Sequence, residues 1–251
     1  MSGRHPEEPV RLPVNRQTWR HLSFLHFRYD AAEVQRLVPE GLRVQQWGGS
    51  AWVGLTPFLM QDVRVPGLPP PPGWGEFAEL NVRTYVQGPD GRDGLWFLGM
   101  LVPGMGFLLA LRSIGLPYSR AGGAVEVDGH RWRYQFGRPG WRGLLGRPAG
   151  TPPWFDAEIT VGGPLGETER TAEIDAITGR WAAYHQRAGA LWRTPVRHDV
   201  WPLNYAEATG ELTAPLRWVG LPPPAEVPMV HASAGVATRL GMPRPAAAHR
   251  V

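Results

Sequence analysis

Two residue types are missing from the 251-residue chain: it has no cysteine, and all 26 of its basic residues are arginine. Without cysteine there can be no disulfide, thiolate nucleophile, iron–sulfur cluster or cysteine-based zinc site. Without lysine there is no side-chain amine for a Schiff base and no P-loop lysine to hold a phosphate. Charge is sparse as well, at 19% of residues, and no block of five or six like charges occurs. A net charge of +4 and a pI near 9.9 therefore do not make a nucleic-acid surface. Arg131 and Arg133 flank Trp132, but one short strand is not a basic stripe. Long apolar runs are absent too. Residues 95–111 are uncharged, yet Pro103, Gly104 and Gly106 interrupt any helix there, and as a helix the run would reach only about 26 Å. Residues 1–14 lack the apolar stretch of a signal peptide and read as a flexible leader. The expectation is a cytoplasmic protein whose partner is a small-molecule ligand, with no nucleic acid and no membrane; a homo-oligomer stays open.

What is present points to β structure. The chain has 32 Gly and 27 Pro, which favour many turns, and 12 Trp, 8 Phe and 6 Tyr, which supply area for a sizeable core. Residues 18–29 read as a strand with both faces largely apolar: Leu22, Phe24, His26 and Arg28 on one, Leu25, Phe27 and Tyr29 on the other. Asp30 caps a short helix with Glu33 three residues on, and Pro39 and Gly41 end it. A hairpin joins 42–47 to 51–60 across Gly48-Gly49-Ser50. Residues 67–75 form a Pro-rich loop. Residues 79–86 alternate strictly, with an antiparallel neighbour at 95–102. A buried helix is predicted over 106–114, strands at 124–127 and 130–136, a Gly/Pro/Arg-rich loop at 138–153, a strand at 155–161 and a helix at 172–177. Further strands follow at 181–186, 191–197, 202–208 and 229–236. Residues 15–240 make one α+β domain: a large curved, mostly antiparallel β-sheet or barrel with two or three short helices, able to enclose a ligand cavity. Residues 241–251 read as a flexible tail.

The common catalytic signatures (GxSxG, HExxH, the P-loop, GxGxxG after a strand) are absent. His198 beside Asp199, together with His231, could meet at a metal in three dimensions, but nothing local demands it, and neither a metal nor a cofactor is predicted. The alternating strand offers chemistry. Glu79, Asn81, Arg83 and Tyr85 share one face, with Glu79 and Arg83 about 13 Å apart at Cα. Either that face is solvated, or a carboxylate and a guanidinium line a cavity, where burial raises the carboxyl pKa toward use in proton transfer.

Several stretches resemble the domain-of-unknown-function family 2071: Phe77-Ala78-Glu79-Leu80-Asn81-Val82-Arg83-Thr84-Tyr85-Val86, Leu25-His26-Phe27-Arg28-Tyr29, Ala51-Trp52-Val53-Gly54-Leu55 and Val230-His231-Ala232-Ser233-Ala234-Gly235-Val236 among them. That family is similar to the acetoacetate-decarboxylase-like superfamily, whose fold is a curved β-sheet assembly around an internal pocket. The resemblance implies that Arg28, after Phe27, anchors an anion, and that Glu79, after Phe77-Ala78, moves a proton. In the decarboxylases a Gly-aromatic-Pro turn precedes the Schiff-base lysine; here Gly115-Leu116-Pro117 is followed by Tyr118. The departure removes the iminium, and with it the usual electron sink. Arg28, Glu79 and Tyr118 are then the catalytic candidates, with Tyr118 as hydrogen-bond donor to a carbonyl oxygen, or as a base only if arginines lower its pKa. The plain alternative packs the Tyr118 ring under Pro117. His26, Asn81, Arg83 and Ser119 are the candidate substrate-binding residues. Three functions follow: a lysine-independent enzyme acting on a small carbonyl or carboxylate metabolite by a lyase, dehydratase, cyclase or enolisation step; a non-catalytic small-molecule binder or sensor; or an interaction module docking through Pro69 to Pro72.

Overall fold

A computed structural model describes residues 3–69, 75–104, 115–140 and 153–246. Residues 106–114, 70–74 of the Pro-rich loop and 141–152 of the Gly/Pro/Arg-rich loop lie outside them, so the helix expected at 106–114 and most of the docking loop are not described.

Strand β1 (Asn15–Tyr29) is long because its alternation is apolar on both sides, and Leu22 through Phe27 are buried without a break. It pairs antiparallel with β4 (Ser50–Arg64) on one side and β14 (Met229–Leu240) on the other. Between them α1 (Ala31–Gln35) starts where Asp30 accepts a 2.7 Å hydrogen bond from the Ala32 amide. Asp30→Ala should lower stability in urea titration by about 1 kcal/mol, the usual worth of an N-cap; an unchanged midpoint would deny the cap that role. The strand expected at 42–47 is two pieces. β2 (Arg43–Val44) pairs with β5 (Glu76–Gln87), then Gln45 donates its amide to the Tyr85 carbonyl and β3 (Gln46–Trp47) turns to β4. Gly48 and Gly49 both have positive φ, 59° and 79°, which a two-residue hairpin loop of this hand requires.

β5 pairs with β4 and with β6 (Asp93–Val102), and β7 (Tyr118–Arg120) adds in parallel to β6. β8 (Gly123–Asp128), β9 (Arg131–Phe136), β10 (Phe155–Pro164) and β13 (Leu203–Glu211) extend the sheet from β14 as a wing. After α2 (Ala172–Thr178), β11 (Ala182–Arg187) joins β6 in parallel and pairs with β12 (Ala190–Arg197). The sheet is thus large, curved and mixed. It curls until Val196 and Arg197 of β12 meet Leu240 and Arg239 of β14, while β8 and β15 (Arg244–Pro245) remain at its ends. A third short helix, α3 (Ala214–Trp218), lies within the number expected but at a position where none was placed; its signal is Pro215 in the first turn, where proline fits a helix start.

The curl separates two cores. Leu25, Phe27, Val53, Leu55, Leu80 and Val82 face the wing, against Tyr134, Phe136, Phe155 and Leu216. The opposite face points inward and carries Leu22, Phe24, Phe58, Met60, Met100 and Trp201. The described residues near both termini make contacts with the rest of the protein. The Gly3 carbonyl accepts from Trp181 Nε1 at 2.9 Å, Arg4 pairs with Glu167, and Glu8 pairs with Arg193 and, at 3.4 and 3.8 Å, with Arg92 and Arg244. Residues 3–14 are held by charge rather than by an apolar run, so their hydropathy alone suggested a leader. Residues 241–246 likewise run along the β12 edge, with the Ala246 amide 2.9 Å from the Leu191 carbonyl. No helix among the described residues is long and apolar enough to cross a membrane.

Candidate functional site

The inward face of β5 carries Glu79, Asn81, Arg83 and Tyr85, and all four are buried, Glu79 to 1% exposure. The solvated reading of this face therefore fails, because the sheet curls over it. Tyr118 enters from β7, whose register sets it beside Met100, and its hydroxyl donates to Glu79 Oε1 at 3.1 Å. The packed-turn reading of Tyr118 does not describe this geometry. Burial pushes the Glu79 carboxyl up to about 8; the hydrogen bonds from Tyr118 and Asn81 oppose that shift and do not cancel it. Near neutral pH Glu79 thus holds its proton. Burial, and then the neighbouring Glu79, push the Tyr118 hydroxyl well above 10, so Tyr118 is a donor and not a base.

Arg83 lies with its guanidinium 5.2 Å from the Phe24 ring centre and 5.9 Å from that of Tyr85. Behind it, His26 Nε2 and the Tyr85 hydroxyl are 2.6 Å apart. Gly54 makes room for that contact, since a Cβ there would come within 2.9 Å of the Tyr85 oxygen and 3.1 Å of the His26 ring. Arg180 follows α2 and was missed by sequence reasoning. Its side chain is buried, 5.0 Å over Trp47 and 5.2 Å over Tyr85, with Nη1 3.5 Å from Asp93 Oδ2. Burial lowers its pKa to about 10, and it stays a cation near neutral pH. His198 was weighed as a metal ligand. It sits instead among Trp181, Trp201 and Trp19, with ring centres at 4.5, 4.7 and 5.9 Å. Its Nδ1 is 2.6 Å from the Asp199 carbonyl, so that nitrogen carries the proton and Nε2 is left as an acceptor. Among the described residues no group of three or more His, Cys, Asp and Glu is placed to hold a metal.

These side chains meet at a cavity of about 210 Å³ lined by Glu79, Asn81, Arg83, Tyr118, Arg180 and His198, with apolar walls from Phe58, Phe97, Met100 and Trp201. Three expected residues do not line it. Arg28 pairs across the ladder with Trp52 at the exposed end of β1, and its guanidinium stacks 4.9 Å over that indole. It shares a strand face with His26, but the strand has left the enclosure by then. Ser119 follows Tyr118 on a strand, so it points to the other side. His26 is one layer behind, against Tyr85; burial and the Arg83 charge hold its pKa well below 6.5.

The family model DUF2071, described as an uncharacterized conserved protein, matches residues 16–237. The uncharacterized protein YqjF of Bacillus subtilis (strain 168) is 28% identical over 240 residues, which cover 92% of this chain and 93% of that one. Among solved structures, an acetoacetate decarboxylase-like enzyme from Sphingomonas wittichii RW1 aligns with a TM-score of 0.62 at 12% identity over 95% of both chains. The enduracididine biosynthesis enzyme MppR, complexed with pyruvate, aligns at 0.61 and 13% identity over 97% of this chain and 94% of that one. Acetoacetate decarboxylase from Legionella pneumophila aligns at 0.59 and 13% identity, over 98% and 94%. At such identities the likeness shows the fold: a curved acetoacetate-decarboxylase-like sheet.

Proposed function

We propose that this chain, which belongs to the DUF2071 family, is a cytoplasmic enzyme that binds a small carbonyl or carboxylate compound in its cavity and moves a proton on it without a Schiff base. The observation that carries this reading is Glu79: a fully buried carboxyl whose pKa is pushed to about 8, hydrogen-bonded to Tyr118 and facing an apolar-walled cavity. Burial of a carboxyl is costly, strongly shifted groups of this kind cluster at functional sites, and one poised near neutral pH can both give and take a proton. In its ionised form Glu79 would remove a proton from the carbon beside a carbonyl. The C–H electron pair would pass into the enolate and the proton would end on Glu79, which could return it at another position or to a leaving group. Tyr118 holds the Glu79 oxygen in place and contributes a hydrogen bond. That a protein of this fold is complexed with pyruvate supports a small oxo acid as a compound of suitable size.

In D2O, the full chain is expected to catalyse loss of the C3 proton signals of 2-oxobutanoate, beside its oxo group, in 1H NMR spectra. Glu79→Gln should lower that rate by about 10²–10⁴-fold, the usual worth of general acid–base catalysis, while the melting temperature is kept or raised. Equal rates in both proteins would refute the assignment. The aromatic walls also suit a binder or sensor. Ligand-induced thermal stabilisation with no exchange in the wild type would favour that reading.

A further inference from the structure

The resemblance assigned the anion anchor to Arg28, which lies outside the cavity. We propose that Arg83 and Arg180 form the anion subsite instead, and that they select a short monocarboxylate with an apolar body. The inference rests on reading the cavity as a ligand site and not on catalysis there.

Both guanidinium groups belong to side chains about nineteen-twentieths buried or more, and both line the cavity. Arg83 Nε and Nη2, and Arg180 Nε and Nη2, are buried and find no hydrogen-bond acceptor among the described residues, while Arg180 Nη1 has Asp93 Oδ2 at 3.5 Å. A buried polar nitrogen is normally paired, and a buried cation more strictly so. The two groups lie against the same Tyr85 ring, at 5.9 and 5.2 Å from its centre, and both line the one cavity. Guanidinium groups also bind carboxylates through paired parallel hydrogen bonds.

The charge around them sets the valence. Arg180 faces Asp93 at 3.5 Å, whereas no carboxylate among the described residues lies within ion-pair distance of Arg83. Glu79 holds its proton near neutral pH, and His198 is a neutral acceptor. One positive charge is left uncompensated, and a ligand with one negative charge balances it. Beyond the subsite Asn81 leads along β5 to Glu79, and Phe58, Phe97 and Met100 supply apolar wall for the rest of the compound.

The test uses the full chain with four probes: butanoate, butanamide, butanedioate and inorganic phosphate. Binding is followed by thermal melts and ligand-observed NMR titration. Butanoate should bind at least about tenfold more tightly than butanamide, the discrimination expected of a charge-assisted hydrogen bond. Butanedioate and phosphate should bind more weakly than butanoate. Arg83→Met should weaken butanoate by about tenfold or more and leave butanamide unchanged. It should also melt at or above the wild-type temperature, since it removes a buried charge with no counter-ion. Arg180→Met would strand Asp93, so it is made together with Asp93→Asn, and the same loss is expected. The proposal is overturned if butanoate and butanamide bind alike or not at all, if phosphate binds more tightly, or if Arg83→Met keeps its affinity for butanoate. Glu79→Gln should still bind butanoate. Charge-selective binding without proton exchange would remove the catalytic reading and leave this one; exchange without charge selectivity would do the reverse.

Discussion

At pH 8 the Glu79→Gln protein is expected to be more stable than the wild type by up to about 5 kcal/mol, and at pH 4 the two should be equal. The folded carboxyl has a pKa of about 8, against 4.5 for the same group in the unfolded chain, and each pH unit between the two is worth 1.36 kcal/mol (~1.4). Between pH 4.5 and 8 the native state keeps a proton that the unfolded state has lost. Stability is therefore fully present below about 4.5 and is lost as the pH rises through 8. Glutamine mimics the protonated carboxyl and cannot ionise, so the variant is spared that loss. Urea titrations of both proteins at matched pH isolate the effect, because every other titrating group cancels in the difference. A difference that stays flat across this window would mean that Glu79 is not held protonated, and the acid–base role would fall with it. The expected trade, stability gained as proton transfer is lost, is common where a catalytic group is kept in an unfavourable environment.

How much of this was legible in sequence depended on whether the signal was local. The alternation of residues 79–86 fixed which side chains share a face, and Asp30 and the Gly-rich hairpin marked element ends through backbone chemistry within a few residues. Glu79 and Tyr118 could be paired because both fell within family-like stretches, though 39 positions separate them. Arg28 went wrong for a different reason. Alternation says which face a residue occupies, and nothing about where along the strand the enclosure ends; Arg28 is past that end, on Trp52. Arg180 was invisible because no local pattern distinguishes it from the other arginines. It becomes a cavity residue only when β11 joins β6 in parallel and carries the chain after α2 over Tyr85 and Trp47. The N-terminal ion pairs carry no local signal either, since Glu8 meets its arginines at positions 92, 193 and 244.

Acid should unfold the protein through its buried histidines. His198 and His231 are held at about 4, chiefly by burial, against an ordinary 6.5. Arg83 lowers His198 further, against the carbonyl and charge of Asp199, while Arg170 adds to the lowering at His231. His26 is lowered well below 6.5 by burial, Arg83 and His231 and only partly restored by the Ile177 backbone. For a lowered base the unfolded state takes up the proton first. The stabilising contribution is thus complete above pH 6.5 and is lost as the pH falls toward 4. His198 and His231 lose about 3 kcal/mol each over that interval, about 6 kcal/mol together, against a typical total of 5–15 kcal/mol. Because Glu79 gains stability over the same range, the effect is read in the Glu79→Gln background, where urea midpoints should drop steeply from pH 7 to 4.5, and more gently once His198→Asn and His231→Asn are added. A Glu79→Gln midpoint that holds steady over this range would show that the histidines are protonated in the native state. That outcome would also change the charge around Arg83, because a protonated His198 would add a second uncompensated cation to the cavity and call for a divalent ligand. Neutral histidines and a protonated Glu79 are two consequences of one enclosure, and together they leave Arg83 as the charge that a ligand has to meet.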